Sequence, residues 1–118
     1  MSELIYRGSA YGVGDDIELF MQYSRGKKTY VARDDRGVII LPELGSRMIG
    51  EMIEANAILV FVKGKIIKIV ETQKGTRYAI VRPAEWRPIE TVVNLDSDDP
   101  PNPRRKRIYR GWEGALRE

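Results

Sequence analysis

From Ile17 to Ile40 the pattern is a β-meander, and in its first two runs apolar and polar residues alternate with a period of two, the spacing of a strand whose side chains point to opposite faces. Ile17-Glu18-Leu19-Phe20-Met21-Gln22-Tyr23 makes the first run and Thr29-Tyr30-Val31-Ala32-Arg33 the second, with Ser24-Arg25-Gly26-Lys27-Lys28 as the turn between them. Asp34-Asp35-Arg36-Gly37 is a hairpin signal, because glycine supplies the positive φ that a β-branched residue resists. Val38-Ile39-Ile40-Leu41 follows as a buried strand, and Pro42, which cannot donate to a ladder, ends it. The period then changes to about 3.6: Leu44, Met48, Ile49, Met52 and Ile53 fall on one stripe, predicting a helix from Glu43 to Ala55 with Asn56 as its C-terminal cap. Strands return at 57–62, 66–71 and 78–82, joined by hairpins at Lys63-Gly64-Lys65 and Gln73-Lys74-Gly75-Thr76. Leu4-Ile5-Tyr6 adds an edge strand, while Gly8, Gly12 and Gly14 mark the stretch before Asp15 as loop.

From Pro83 the pattern fades. Pro83, Pro88, Pro100, Pro101 and Pro103, with Asp96-Ser97-Asp98-Asp99, are too polar and too rich in proline to build a core. The expected architecture is therefore an α+β domain over residues 1–94, with an antiparallel sheet of about six strands and one main helix covering a face. An extended, charged C-terminal arm occupies 95–118.

A length of 118 residues suits one domain, and 42% hydrophobic with 31% charged residues describes a globular chain. The longest apolar stretch, 57–62, is far too short to span a bilayer, and no secretion signal opens the chain, so no membrane partner and a cytoplasmic location are expected. Zero cysteines and zero histidines remove thiolate chemistry, disulfides and the commonest general base and metal ligand. No enzyme activity and no cofactor are expected. Asp15-Asp16, Asp34-Asp35 and Asp98-Asp99 could hold a divalent cation for a nuclease, but neighbouring residues of a strand face opposite ways, and in turns such pairs serve local hydrogen bonds. Gly12-Val13-Gly14 lacks the third glycine and the preceding strand of a dinucleotide site. Abundant Ile and Val with charges of both signs give a thermophile-like composition.

The net charge of +3 is modest, so distribution decides what the charge can do. Three of the four glycine turns carry cations on both sides of the glycine: Arg25, Lys27 and Lys28; Lys63 and Lys65; Lys74 and Arg77. Converging on one rim, with Arg33 and Lys68 beside them, they would form a track for phosphates. Tyr23, Tyr30, Tyr78 and Trp86 are interleaved with them and offer faces on which bases stack. Each feature also has a plain structural use: edge lysines discourage sheet-to-sheet pairing, and tyrosine is a common strand residue at the margin of a core. Arg104, Arg105, Lys106 and Arg107, followed by Tyr109, Arg110 and Trp112, could be a nucleic-acid arm or a solvated charge run.

The stretch Lys28-Thr29-Tyr30-Val31-Ala32-Arg33-Asp34-Asp35-Arg36-Gly37-Val38-Ile39-Ile40, followed by a helix, resembles the strand–turn–strand–helix core of the transcriptional-coactivator and Pur-type single-stranded-DNA-binding domains. The aliphatic, charged composition is similar to that of the ThermoDBP-like proteins of thermophiles. Either resemblance implies a homodimer binding single strands across a curved sheet, with Lys28, Tyr30 and Arg33 as the matching positions. The expected function is sequence-tolerant binding of single-stranded nucleic acid, DNA before RNA. The alternative is a structural or regulatory homo-oligomeric interaction protein, of viral or archaeal type, that binds no nucleic acid.

Overall fold

The computed structural model describes residues 3–95. The order of elements is β1 (Leu4–Tyr6), β2 (Ser9–Tyr11), β3 (Asp16–Ser24), β4 (Thr29–Arg33), β5 (Ile39–Pro42), α1 (Arg47–Glu54), β6 (Ala57–Glu71) and β7 (Arg77–Thr91). The chain is mostly β rather than the expected α+β, and its last five strands do not belong to an antiparallel sheet of about six. They close into a barrel of order β3-β4-β5-β7-β6, while β1 and β2 make a separate two-stranded sheet. All barrel pairings are antiparallel except β5 with β7, which run parallel. Helix α1 lies in the chain between β5 and β6, so it belongs to a crossover connection rather than to a layer over one face.

Three local features account for the difference. Lys63-Gly64-Lys65 is no hairpin, because β6 runs unbroken for 15 residues and Gly64 pairs with Pro83 of β7. A Cβ at Gly64 would lie 2.3 Å from the Arg82 carbonyl oxygen and 2.8 Å from Val81 Cγ1, so the glycine permits a close approach of backbones rather than a reversal. Strand β7 likewise continues through Pro83 and Pro88, where the sequence suggests a tail. Its pairing with β5 ends at Val81, leaving the later residues with β6 as their barrel partner and one edge on which a missing N–H costs no ladder bond. The helix is also shorter than its stripe. Gly45 sits at φ +79 and Leu44 is 94% exposed, so the turn before Ser46 lies outside the helix.

Inward-facing Ile17, Leu19, Met21, Tyr30, Ala32, Ile40, Val60, Val62, Ile66, Ala79 and Val81 fill the barrel, and Met48 and Met52 of α1 join the same core. Ser46 makes no side-chain cap bond, so burial of the two methionines, rather than capping, holds this short helix in place. Asn56 at φ +56 terminates it; its amide donates to the Ile53 carbonyl, and its own carbonyl accepts from Val92 N–H.

The β1–β2 hairpin fills a gap in the wall. Strand β3 pairs with β4 only through its last three residues, which leaves Phe20 N–H facing outward from the ladder toward the Tyr6 hydroxyl that accepts it at 3.1 Å. Leu4 and Tyr6 are buried in the common core. Asp34 fixes the hairpin's other side, its carboxylate accepting from Ile5 N–H at 3.0 Å as well as from Arg36 and Val38.

Candidate functional site

Alternation in a barrel wall sends every second side chain outward. With Tyr30, Ala32, Ile40, Pro42, Ala79 and Val81 buried, the outward residues where β4, β5 and the start of β7 adjoin include Val31, Arg33, Ile39, Leu41, Tyr78 and Ile80. The register arranges them in rows. Arg33 lies opposite Ile39, Ile39 beside Tyr78, and Tyr78 opposite Val70; Leu41 lies beside Ile80, and Ile80 opposite Lys68. Apart from the exposed Arg33 and Lys68, these side chains are half-buried. The result is a smooth apolar face bearing one tyrosine, with a cation on the strand at either side.

Basic loops stand at both ends of this wall. At the start of β4, Arg25, Lys27 and Lys28 occupy an exposed turn closed by Lys28 N–H donating to the Ser24 carbonyl at 2.8 Å. Here Lys28, not Gly26, takes the left-handed conformation, at φ +56. At the far end two turns lie side by side because β5 and β7 start together. One joins β4 to β5, with Asp34 N–H donating to Val38 O; the other joins β6 to β7, with Thr72 N–H donating to Thr76 O. Lys74, Arg77 and Arg36 belong to this end. A cleft of about 310 Å³ separates the two turns and is lined by Arg36, Gly37, Ile39, Gly75, Thr76 and Arg77, among others. The guanidinium groups of Arg36 and Arg77 both donate to the Glu3 carbonyl oxygen, at 3.3 and 2.9 Å.

The expected single strip of cations is therefore split. The first and third basic turns flank opposite ends of one wall, about 17 Å apart along the five residues of β4. Lys63 and Lys65 are elsewhere, mid-strand on β6. Lys63 lies between Glu18 of β3 and Glu85 of β7, and Lys65 Nζ is 3.8 Å from Asp16. Of the aromatics, Tyr30 is wholly buried with its hydroxyl donating to the Ala57 carbonyl at 2.7 Å, so its ring faces no solvent. Tyr23 packs edge-on against it at 5.4 Å. Trp86 is half-buried under α1, its indole N–H donating to Glu51 at 2.9 Å with Arg47 over the ring. Arg104, Arg105, Lys106 and Arg107 lie outside the described residues.

No protein-family model, curated protein or solved structure matches the chain. Two further carboxylates serve the scaffold. Asp15 accepts from Gly12 N–H, and Asp35 from Arg7 and Gly8 N–H. Among the described residues no group of three acidic side chains is placed to hold a metal ion, and no helix is long and apolar enough to cross a membrane. Glu43 takes both donors of the Arg82 fork, at 2.9 and 3.0 Å, and these hydrogen bonds hold its carboxyl below the usual range. The indole of Trp86 and then Arg47 do the same for Glu51.

Two groups escape a reading of the sequence. Arg36 stands in a turn whose two aspartates make it look acidic, although Arg36-Gly37 repeats the cation–glycine pairing of the other turns. Ile39, Leu41 and Ile80 look like core because a short aliphatic run does not reveal which of its residues face out.

Proposed function

We propose that this chain binds single-stranded nucleic acid, DNA before RNA, without sequence selectivity, and that the strand lies along the β4–β5–β7 wall. The observation that carries the reading is the placement of Arg25, Lys27 and Lys28 at one end of that wall and Lys74 and Arg77 at the other, with Tyr78, Arg33 and Lys68 between them. Backbone phosphates are held by charge and counterion release, and bases by stacking on an aromatic face next to apolar side chains. A fold-level analogy supports the same face. Five-stranded Greek-key barrels of the oligonucleotide-binding type carry ligands on their second and third strands and on the loops joining strands one to two and four to five. In this barrel those are β4, β5 and the loops 25–28 and 72–76.

Fluorescence anisotropy with labelled single-stranded DNA at two salt concentrations tests the proposal. Micromolar or tighter binding that weakens steeply as salt rises is expected. Absence of binding at low salt favours an interaction protein instead. One specific observation favours self-association as a companion property: on the opposite wall Phe20 is 41% exposed and meets Phe61 edge-on, with Arg7 and Arg87 over the two rings and Glu18 and Glu85 on the same face. A patch holding both charge signs around an aromatic centre can complement a second copy of itself.

A further inference from the structure

We infer that the cleft between the turns at 34–38 and 72–76 holds a backbone phosphate of the bound strand, gripped by Arg36 and Arg77. This rests on the single-strand reading above and adds to it a defined anion site with a residue, Arg36, outside the predicted basic tips. Both guanidinium groups aim at one point, the Glu3 carbonyl oxygen, at 3.3 and 2.9 Å. That oxygen is neutral. Among the described residues neither arginine forms an ion pair; Glu71 is opposite Arg77 in the ladder but not bridged to it, and the Asp34 and Asp35 carboxylates are occupied by backbone N–H groups. Two full positive charges thus converge on a single uncharged acceptor, leaving most of their ten or so N–H donors available for a phosphate, whose oxygens match the guanidinium fork.

The remaining walls suit the same ligand. Gly37 and Gly75, at φ +88 and +84, bring backbone without side chains to the cleft, and Thr76 lines it beside them. Ile39 lines the cleft and is also the register partner of Tyr78. A base stacked on Tyr78 would therefore have its own phosphate beside the two arginines. The cleft and the stacking face are consecutive parts of one path.

The test uses an oligothymidine of about 12 nucleotides, within the usual footprint of such barrels, and the Arg36→Gln/Arg77→Gln protein. The expected result is an affinity about tenfold weaker at low salt, with the slope of log K against log salt smaller by about 0.7 for the lost phosphate contact. Oligonucleotides with one neutral methylphosphonate linkage should lose affinity for the unaltered protein at a particular position and lose none for the double variant. If the folded double variant keeps the original affinity and slope, the cleft proposal is overturned while the single-strand reading stands. If the unaltered protein binds no strand, that reading falls, and the cleft is judged on pyrophosphate alone. Amide resonances of Gly37, Gly75 and Thr76 should move on its addition; unmoved resonances overturn the site. This last measurement needs no variant, so a double variant that fails to fold leaves the question decidable.

Discussion

Gly64 and Tyr30 show how much a single position can carry when the barrel closes around it. Any side chain at 64 meets the Arg82 carbonyl, which is backbone and cannot swing away. Gly64→Ala is therefore expected to cost at least about 1–3 kcal/mol, the usual range for overpacking, read as a lower midpoint in urea denaturation. Tyr30 buries its ring and spends its hydroxyl on the Ala57 carbonyl. Tyr30→Phe removes that buried hydrogen bond, for an expected loss of about 0.5–1.5 kcal/mol by the same measurement. Burial, with a smaller contribution from Tyr23, raises the phenol's pKa above its ordinary value. The folded chain then prefers the neutral form more strongly than the unfolded chain does. This contribution is complete below about pH 10, where unfolded tyrosine begins to ionise, and is lost as pH rises further. The urea midpoint should fall above that pH, and Tyr30→Phe should flatten the fall.

At the scale of elements, the turn at 34–38 and the strand β7 do the most to shape the candidate site. Asp34 accepts three backbone N–H groups, from Ile5, Arg36 and Val38, and so ties β1, the turn and β5 together. Asp34→Asn replaces one accepting oxygen with a donor and strands an N–H. A loss of about 1–3 kcal/mol is expected, together with faster hydrogen exchange at Ile5, which would show the β1–β2 hairpin loosening. The Glu43–Arg82 fork pins the segment before α1 to β7. Because its carboxyl titrates below the ordinary value, its contribution is present above about pH 4.5 and is lost as pH falls through the folded value. Arg82→Gln should reduce the dependence of the thermal midpoint on acidification below that pH.

For the whole molecule, the decisive distinction is between the two walls. If a strand lies along the β4–β5–β7 wall as proposed, Tyr78→Ala removes its one aromatic face there and should weaken binding by about 1–3 kcal/mol in anisotropy titrations. Lys63→Ala/Lys65→Ala changes the other wall, where carboxylates already face those lysines, and should leave the affinity within twofold. Equal losses from both would place the strand elsewhere. On the opposite wall, Phe20→Lys should lower the apparent mass in sedimentation equilibrium if two copies meet over Phe20 and Phe61, and should leave strand binding by each copy in place.

The local content of the fold was legible in the chain. Period-two runs mark β3 and β4, a short aliphatic run before Pro42 marks β5, glycine marks the turns at Gly37 and Gly75, and Asn56 marks the end of α1, because each of these depends on neighbours within a few residues. Closure was not legible. That Gly64 serves backbone approach rather than a turn depends on Arg82, 18 positions later, and β7 passes through two prolines only because its pairing with β5 has ended by then. The same holds for charge. The sequence determined that lysine and arginine would stay in water and that those around Gly26 and Gly75 would sit on exposed turns, but it suggested the same for Lys63 and Lys65, which lie mid-strand. Only tertiary structure decided which turns share a wall, because a cation's neighbours across a barrel are set by strand order, register and shear, none of which is written at the position itself.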